Sequence, residues 1–142
     1  MLENRTMPSC SVMPELVYED VEEAIEWLCG AFGFVERWRA AGHRAQLRVG
    51  DGAIVVRERR PDRRAPDADT DGHSMMIRVE DLAAHLERAR TYGARIVGPP
   101  KDFPYGERQY TALDLDGRRW TFTESIADLV PEDWGGVSAD LS

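Results

Sequence analysis

Any fold for this chain must accommodate one arrangement twice. The stretch 18–34 (YEDVEEAIEWLCGAFGF) can be laid over 79–95 (VEDLAAHLERARTYGAR), strand end on strand end and glycine on glycine to within one residue. In each copy an aspartate, Asp20 or Asp81, stands where a helix N-cap is needed, and Gly33 or Gly93 stops the helix. Between these signals, Val21, Ala24, Ile25, Leu28 and Phe32 fall on one helical face, as do Leu82, Leu86 and Ala89. The repetition continues further on, where VGDGAIVVRE (49–58) matches LDLDGRRWTFTE (113–124) with Gly52 on Gly117. The offset is 61 residues at the caps and 65 at the turn glycines, which a loop insertion of about four residues explains.

The clearest single element is 105–124, a β-hairpin. Two alternating runs rich in Thr, Tyr, Trp and Phe flank Asp116-Gly117, and glycine accepts the positive φ such turns need. Further strands are expected at 11–18, 34–40, 43–49, 53–59, 73–79 and 95–97, with Pro14 marking an edge position. Residues 98–106 read as a loop. Each copy is therefore a βαβββ module. The expected fold is α+β: two tandem modules forming curved mixed sheets around a concave cleft, with helices on the convex side. Module one spans about 11–59 and module two about 73–124. A Pro-, Asp- and Arg-rich linker, 60–72, joins them, a tail follows at 125–142, and the whole is expected to be one domain.

Charge and composition exclude several classes. A net charge of −8 argues against nucleic-acid binding, which relies on basic surface, and mildly favours neutral or cationic ligands. No apolar run approaches the roughly 20 residues of a membrane span. The first fifteen residues show no apolar signal-peptide segment, so the expected address is the cytoplasm. Cys10 and Cys29 lack metal spacing and read as free structural thiols.

The residues Tyr18-Glu19-Asp20, Ala31-Phe32-Gly33-Phe34, Val79-Glu80-Asp81-Leu82, Gly93-Ala94 and Asp114 to Trp120 carry a resemblance to a known family. Their order and duplication resemble the vicinal oxygen chelate superfamily of glyoxalases, bleomycin-resistance proteins and extradiol dioxygenases. The segment from Pro104 to Phe122 is most similar to the bleomycin-resistance-like branch. The resemblance implies a homodimer with pockets near its interface. It also implies, for metal-dependent members, one His or Glu on the first and last strand of each module.

Counting back seven residues from each cap aspartate gives Met13 and Ser74, and counting four forward from each turn glycine gives Val56 and Thr121. These four side chains do not make a divalent-metal site. His73, one residue from a slot, points to the other face unless a bulge intervenes. Glu15 and Glu58 keep the cleft parity but lie a strand repeat away, and Glu124 is three residues past its slot. No metal, cofactor or catalytic residue is therefore expected. On this parity the cleft shows Met13, Val17, Ile54, Val56, Arg119 and Thr123. The residues expected to contact a ligand are Glu15, Glu58, Met76, Arg78 and Thr121, extended by Trp38, Gln46, Arg48 and Tyr110. Trp120 and Phe122 belong to the core, His85 to the solvent-facing side of its helix, and His43 to an exposed strand end. Tyr105 or Arg108 could cover a ligand, and the tail could pack Ile126, Leu129, Val130 and Trp134 onto the body or across a dimer interface.

The residues favour a metal-independent protein that binds a small, cationic or amphipathic molecule, over a divalent-metal lyase, isomerase or dioxygenase in which a Glu moves the proton. A structural module without ligand is the third reading.

Overall fold

The structure, a computed structural model, describes residues 2–59 and 74–142. The linker 60–72 and His73 lie outside the described residues. Ten elements build the two modules. Module one contains β1 (Glu15–Tyr18), α1 (Val21–Phe32), β2 (Val35–Ala40), β3 (Arg44–Val49) and β4 (Gly52–Glu58). Module two repeats the order with β5 (Met75–Arg78), α2 (Leu82–Tyr92), β6 (Arg95–Phe103), β7 (Glu107–Leu113) and β8 (Arg119–Ser125). A 3₁₀ turn at Pro131–Asp133 lies in the tail. The sheets run β1-β4-β3-β2 and β5-β8-β7-β6. The first and last strands of each module pair in parallel and the others antiparallel. The expected fold class holds, and β1 is an edge strand as Pro14 suggested.

Both helices are capped as the sequence indicates. Asp20 accepts from Glu23 N–H at 3.0 Å and Asp81 from Ala84 N–H at 3.0 Å, which satisfies a donor left free by the first turn. Each helix lays its apolar face on its own sheet, and the two helices touch. At that contact Arg88 of α2 donates to the Gly30 and Cys29 carbonyls of α1 at 3.0 and 3.2 Å. Phe32, at the end of α1, packs against Trp120 and Phe122 of β8 with ring centroids 5.6 and 4.8 Å apart. Buried residues of the two modules thus form one hydrophobic cluster, in which each fully buried large apolar side chain contributes about 1.5–3 kcal/mol.

Two expectations on the strands need correction. β6 does not stop at Val97. It runs on to Phe103 through a register irregularity between Val97 and Lys101. Pro99 and Pro100 are tolerated because β6 is an edge strand, where a missing N–H breaks no ladder. The last hairpin also turns more widely than Asp116-Gly117 alone. Leu113 pairs with Arg119, leaving 114–118 as the loop.

That loop is organised by Asp114, which is 4% exposed. Its Oδ1 accepts from the backbone N–H of Asp116 at 3.0 Å and of Arg118 at 2.9 Å. Its Oδ2 accepts from Trp120 Nε1 at 2.9 Å and from Tyr18 Oη of module one at 2.6 Å. Arg118 then covers the Tyr18 ring at 4.7 Å and donates to the Val17 carbonyl at 3.1 Å. Glu19 N–H completes the contact by donating to Asp116 at 3.1 Å. Burial, reinforced by the Asp114 charge, raises the Tyr18 phenol well above its usual value.

Removing this acceptor strands several buried donors at once. Asp114→Ala is expected to lower unfolding free energy by about 3–5 kcal/mol, and Tyr18→Phe by about 1 kcal/mol. Urea titration reads both, and a loss below about 1 kcal/mol for Asp114→Ala would contradict the assignment.

Candidate functional site

The strand registers decide which side chains face away from the helices. In the first sheet Leu16 neighbours Val56 and in the second Ile77 neighbours Phe122, and all four belong to or pack against the core. From Leu16 to Ile77 the spacing is 61, but from Val56 to Phe122 it is 66. Aligning Gly52 with Gly117, an offset of 65, therefore puts β4 out of register by one residue. The first module turns tightly, with Val49 paired to Gly52, where the second spends five residues. Ile54 and Val56 consequently lie in the core, not on the open face. The position equivalent to Thr121 is Val55, beside Glu15, just as Thr121 is beside Met76.

The same correction separates the two expected carboxylates. Glu15 is on the open face, where Arg44 Nη2 approaches its Oε1 at 2.6 Å. Glu58 pairs with Tyr18 on the opposite parity, at the strand end, and lies 3.0 Å from His43 Nδ1. Trp38 and Gln46 are neighbours on the open face of the first sheet, and Arg48 is exposed on it. Their hydrogen-bonding groups are already engaged: Arg37 donates to Gln46 Oε1, and Trp38 Nε1 donates to the Thr6 carbonyl at 2.9 Å. Met76, Arg78 and Thr121 are on the open face of the second sheet. Thr121 shares a 2.9 Å hydroxyl contact with Thr111, and Arg78 donates to Ser125 Oγ at 3.0 Å.

Tyr110 belongs elsewhere. It is 2% exposed and pairs with Phe122 on the helix side. Its hydroxyl meets His85 Nδ1 at 2.5 Å, and His85 Nε2 lies 3.1 Å from the Phe32 carbonyl. His85 is thus not solvent-facing. A carbonyl can only accept, so Nε2 carries the proton and Nδ1 accepts from Tyr110. Burial holds the His85 imidazole below the usual histidine value, with Arg88 adding to the effect and the Phe32 carbonyl opposing it. Burial also pushes the Tyr110 phenol up and, with the Glu36 charge, the Cys29 thiol.

The open faces of both sheets point away from the shared core, so Glu15/Val55 and Met76/Thr121 belong to different surfaces. A cavity of about 780 Å³ lies over the second sheet beneath the C-terminal tail. Met76, Glu107, Gln109 and Thr123 line it from the sheet, and Tyr105, Leu129 and Trp134 from the entrance loop and tail. Of the nine side chains expected to contact a ligand, only Met76 lines this cavity. The polar floor is a directed chain. Gln109 Nε2 donates to Thr123 Oγ1 at 3.2 Å, and Thr123 donates to Glu107 Oε1 at 2.7 Å.

The tail is held by structure of its own. Ile126 and Ala127 N–H both donate to the Gly106 carbonyl, at 2.8 and 3.3 Å. Gly106 has φ +85°, and a Cβ there would meet the Ala127 carbonyl oxygen at 2.8 Å, so the contact requires glycine. Tyr105 stacks on Phe103 at 5.3 Å and meets Trp134 edge-on at 5.8 Å. Sequence reasoning missed Glu107 and Gln109. The signal was present, since the hairpin register sets Gln109 opposite Thr123 and Glu107 opposite Ser125.

A metal fits poorly. Glu15 and Val55 on one surface, and Met76 and Thr121 on the other, offer one carboxylate, one thioether and one hydroxyl. Among the described residues no group of three or more His, Cys, Asp or Glu could hold a metal ion.

Residues 11–122 match the family model of the Glyoxalase/Bleomycin resistance protein/Dioxygenase superfamily. The chain belongs to that superfamily. Among solved structures it is similar to TioX from Micromonospora sp. ML1, with 31% identity, 85% of this chain and 100% of that one covered, and a TM-score of 0.67. A glyoxalase/bleomycin resistance protein/dioxygenase from Alicyclobacillus acidocaldarius shares 13% identity, with 89% and 97% covered and a TM-score of 0.67. The fosfomycin resistance protein FosX from Mesorhizobium loti shares 17%, with 84% and 94% covered and a TM-score of 0.59. The last two likenesses are of fold alone. No curated protein matches the chain.

Because an unfolded histidine titrates near 6.5 and the folded His85 titrates lower, acid favours the unfolded chain. His85 therefore contributes stability fully above about pH 6.5, and that contribution is lost as pH falls from there towards the depressed folded value. The urea midpoint of the wild type should drop between pH 7.5 and 5.5 more steeply than that of His85→Gln. Equal declines in the two proteins would contradict the buried neutral tautomer.

Proposed function

We propose that this protein binds a small amphipathic molecule without a metal ion, sequestering it as the bleomycin-resistance branch of the superfamily is expected to do. The observation that carries the reading is the cavity of about 780 Å³ between the second sheet and the tail. It joins an apolar wall to a few fixed polar groups, which is the usual composition of a small-molecule site. The superfamily name spans glyoxalases, resistance proteins and dioxygenases, so membership leaves the chemistry to the site. Metal independence is supported by the donor set, because neither Glu15 with Val55 nor Met76 with Thr121 supplies two good ligands for a divalent ion. The residues that would bind are then Met76, Gln109, Glu107 and Thr123 from the sheet, with Tyr105 and Trp134 closing over them.

We further propose that the protein is a homodimer in the cytoplasm. Among the described residues no helix is long and apolar enough to cross a membrane. Exposed Val35 and Val97 give a second copy apolar surface to cover.

One purified preparation tests these proposals. Elemental analysis should find less than about 0.1 divalent metal ion per chain, well short of the one per chain a glyoxalase-type site requires. Sedimentation should give twice the chain mass. A thermal-shift panel of cationic antibiotics should contain compounds that raise Tm by several degrees, as tight ligands do. Stoichiometric metal would favour the lyase, isomerase or dioxygenase reading, a monomer mass would sink the dimer, and a blank panel would favour a structural module.

A further inference from the structure

Resting on the reading that the tail-covered cavity is the ligand site, we infer that it selects organic cations with a flat apolar body, Glu107 acting as counter-ion and Trp134 as a wall supplied by the tail. The charge of the cavity points this way. Its charged lining residues are Glu107 and Asp128, and among the described residues no lysine, arginine or histidine lines it. Neither carboxylate takes part in an ion pair among the described residues. Arg108, next to Glu107 in sequence, is turned to the other face of β7 and held by Asp102 at 2.6 Å. An anionic ligand would meet repulsion from both carboxylates, and a neutral one would cover the part-buried Glu107 without supplying a counter-charge.

The floor also fixes the orientation of the counter-ion. Thr123 receives from Gln109 and therefore spends its own proton on Glu107 Oε1. That leaves Glu107 Oε2 and the second amide hydrogen of Gln109 without a partner among the described residues. Glu107 is bound on a strand rather than on a loop, so its carboxylate is preorganised. Above it, Trp134 is held edge-on to Tyr105, and an indole or phenol face attracts a cation that has shed water. The selectivity is thus divided: the sheet supplies the fixed charge, and the tail supplies Asp128 and the aromatic wall. The Gly106 contact that ties tail to hairpin keeps the halves in register.

Two probes of nearly one shape test this: N-methylacridinium, a permanent cation, and acridine, uncharged at pH 8. With full-length protein, calorimetry should show the cation binding about tenfold or more tighter, the scale of one charge-assisted contact. Glu107→Gln can still accept from Thr123 and should keep the wild-type Tm, yet the preference should fall below about threefold. Trp134→Ala should weaken the cation by about tenfold and acridine by less, so that their ratio narrows. Two probes bound within about twofold by the wild type, or a preference that survives Glu107→Gln, overturns the inference and leaves small-molecule binding intact. Binding of neither probe also overturns it, and only a blank thermal-shift panel as well would overturn the binding reading.

Discussion

Among the contacts that hold the two modules in one arrangement, one buried carboxylate gathers the most hydrogen bonds. Asp114 follows β7 and closes the last turn through two backbone N–H groups, and the same group fixes Trp120 and reaches Tyr18 across the module boundary. A buried charge is costly unless its lone pairs are taken up. Here four donors take them up, two of them within the loop and two on aromatic side chains that are themselves core. Arg118 supplies a cation beside the pair while stacking on Tyr18. The docking is therefore specific in a way that apolar packing of Phe32 on Trp120 and Phe122 alone would not be.

That docking decides where function can reside. With the helices and inner sheet faces consumed by one core, each sheet keeps only its outer face. On the first sheet that face is engaged with its own chain. Gln46 is buried beneath Arg37, and Trp38 and Arg37 both give hydrogen bonds to the Thr6 carbonyl. On the second sheet the hairpin presents Glu107, Gln109 and Thr123 to a cavity, and the tail closes over it instead of filling it. The asymmetry between two copies of one module is what leaves the cavity over the second sheet.

Much of the fold was legible because its signals are local. Asp and Gly at fixed distance delimit both helices, and alternation with a turn glycine marks the hairpins. The repetition then supplies the topology. The site was less legible, since parity on a strand depends on a turn length that the sequence does not declare. Turns of two residues in one module and five in the other put Ile54 and Val56 in the core and set Glu58 on the opposite side from Glu15. Tyr110 failed for a related reason: on its neighbouring strand the parity falls to the helix side, where it pairs with Phe122 and a buried histidine meets its hydroxyl. His85 was misplaced because a polar residue on a helix reads as solvent-facing until a neighbouring module covers it.

The proposed ligand position is against the second sheet, beneath the tail. The protein has four tryptophans, and they are distributed to report on it. Trp134 lines the cavity, Trp38 is on the first sheet, Trp120 is in the core and Trp27 is on α1. Fluorine NMR of protein carrying 5-fluorotryptophan, assigned by single Trp→Phe variants, distinguishes these places. On addition of N-methylacridinium the Trp134 resonance should move while those of Trp38 and Trp120 stay. A shift at Trp38 with Trp134 unmoved would put the ligand on the other sheet and contradict the account.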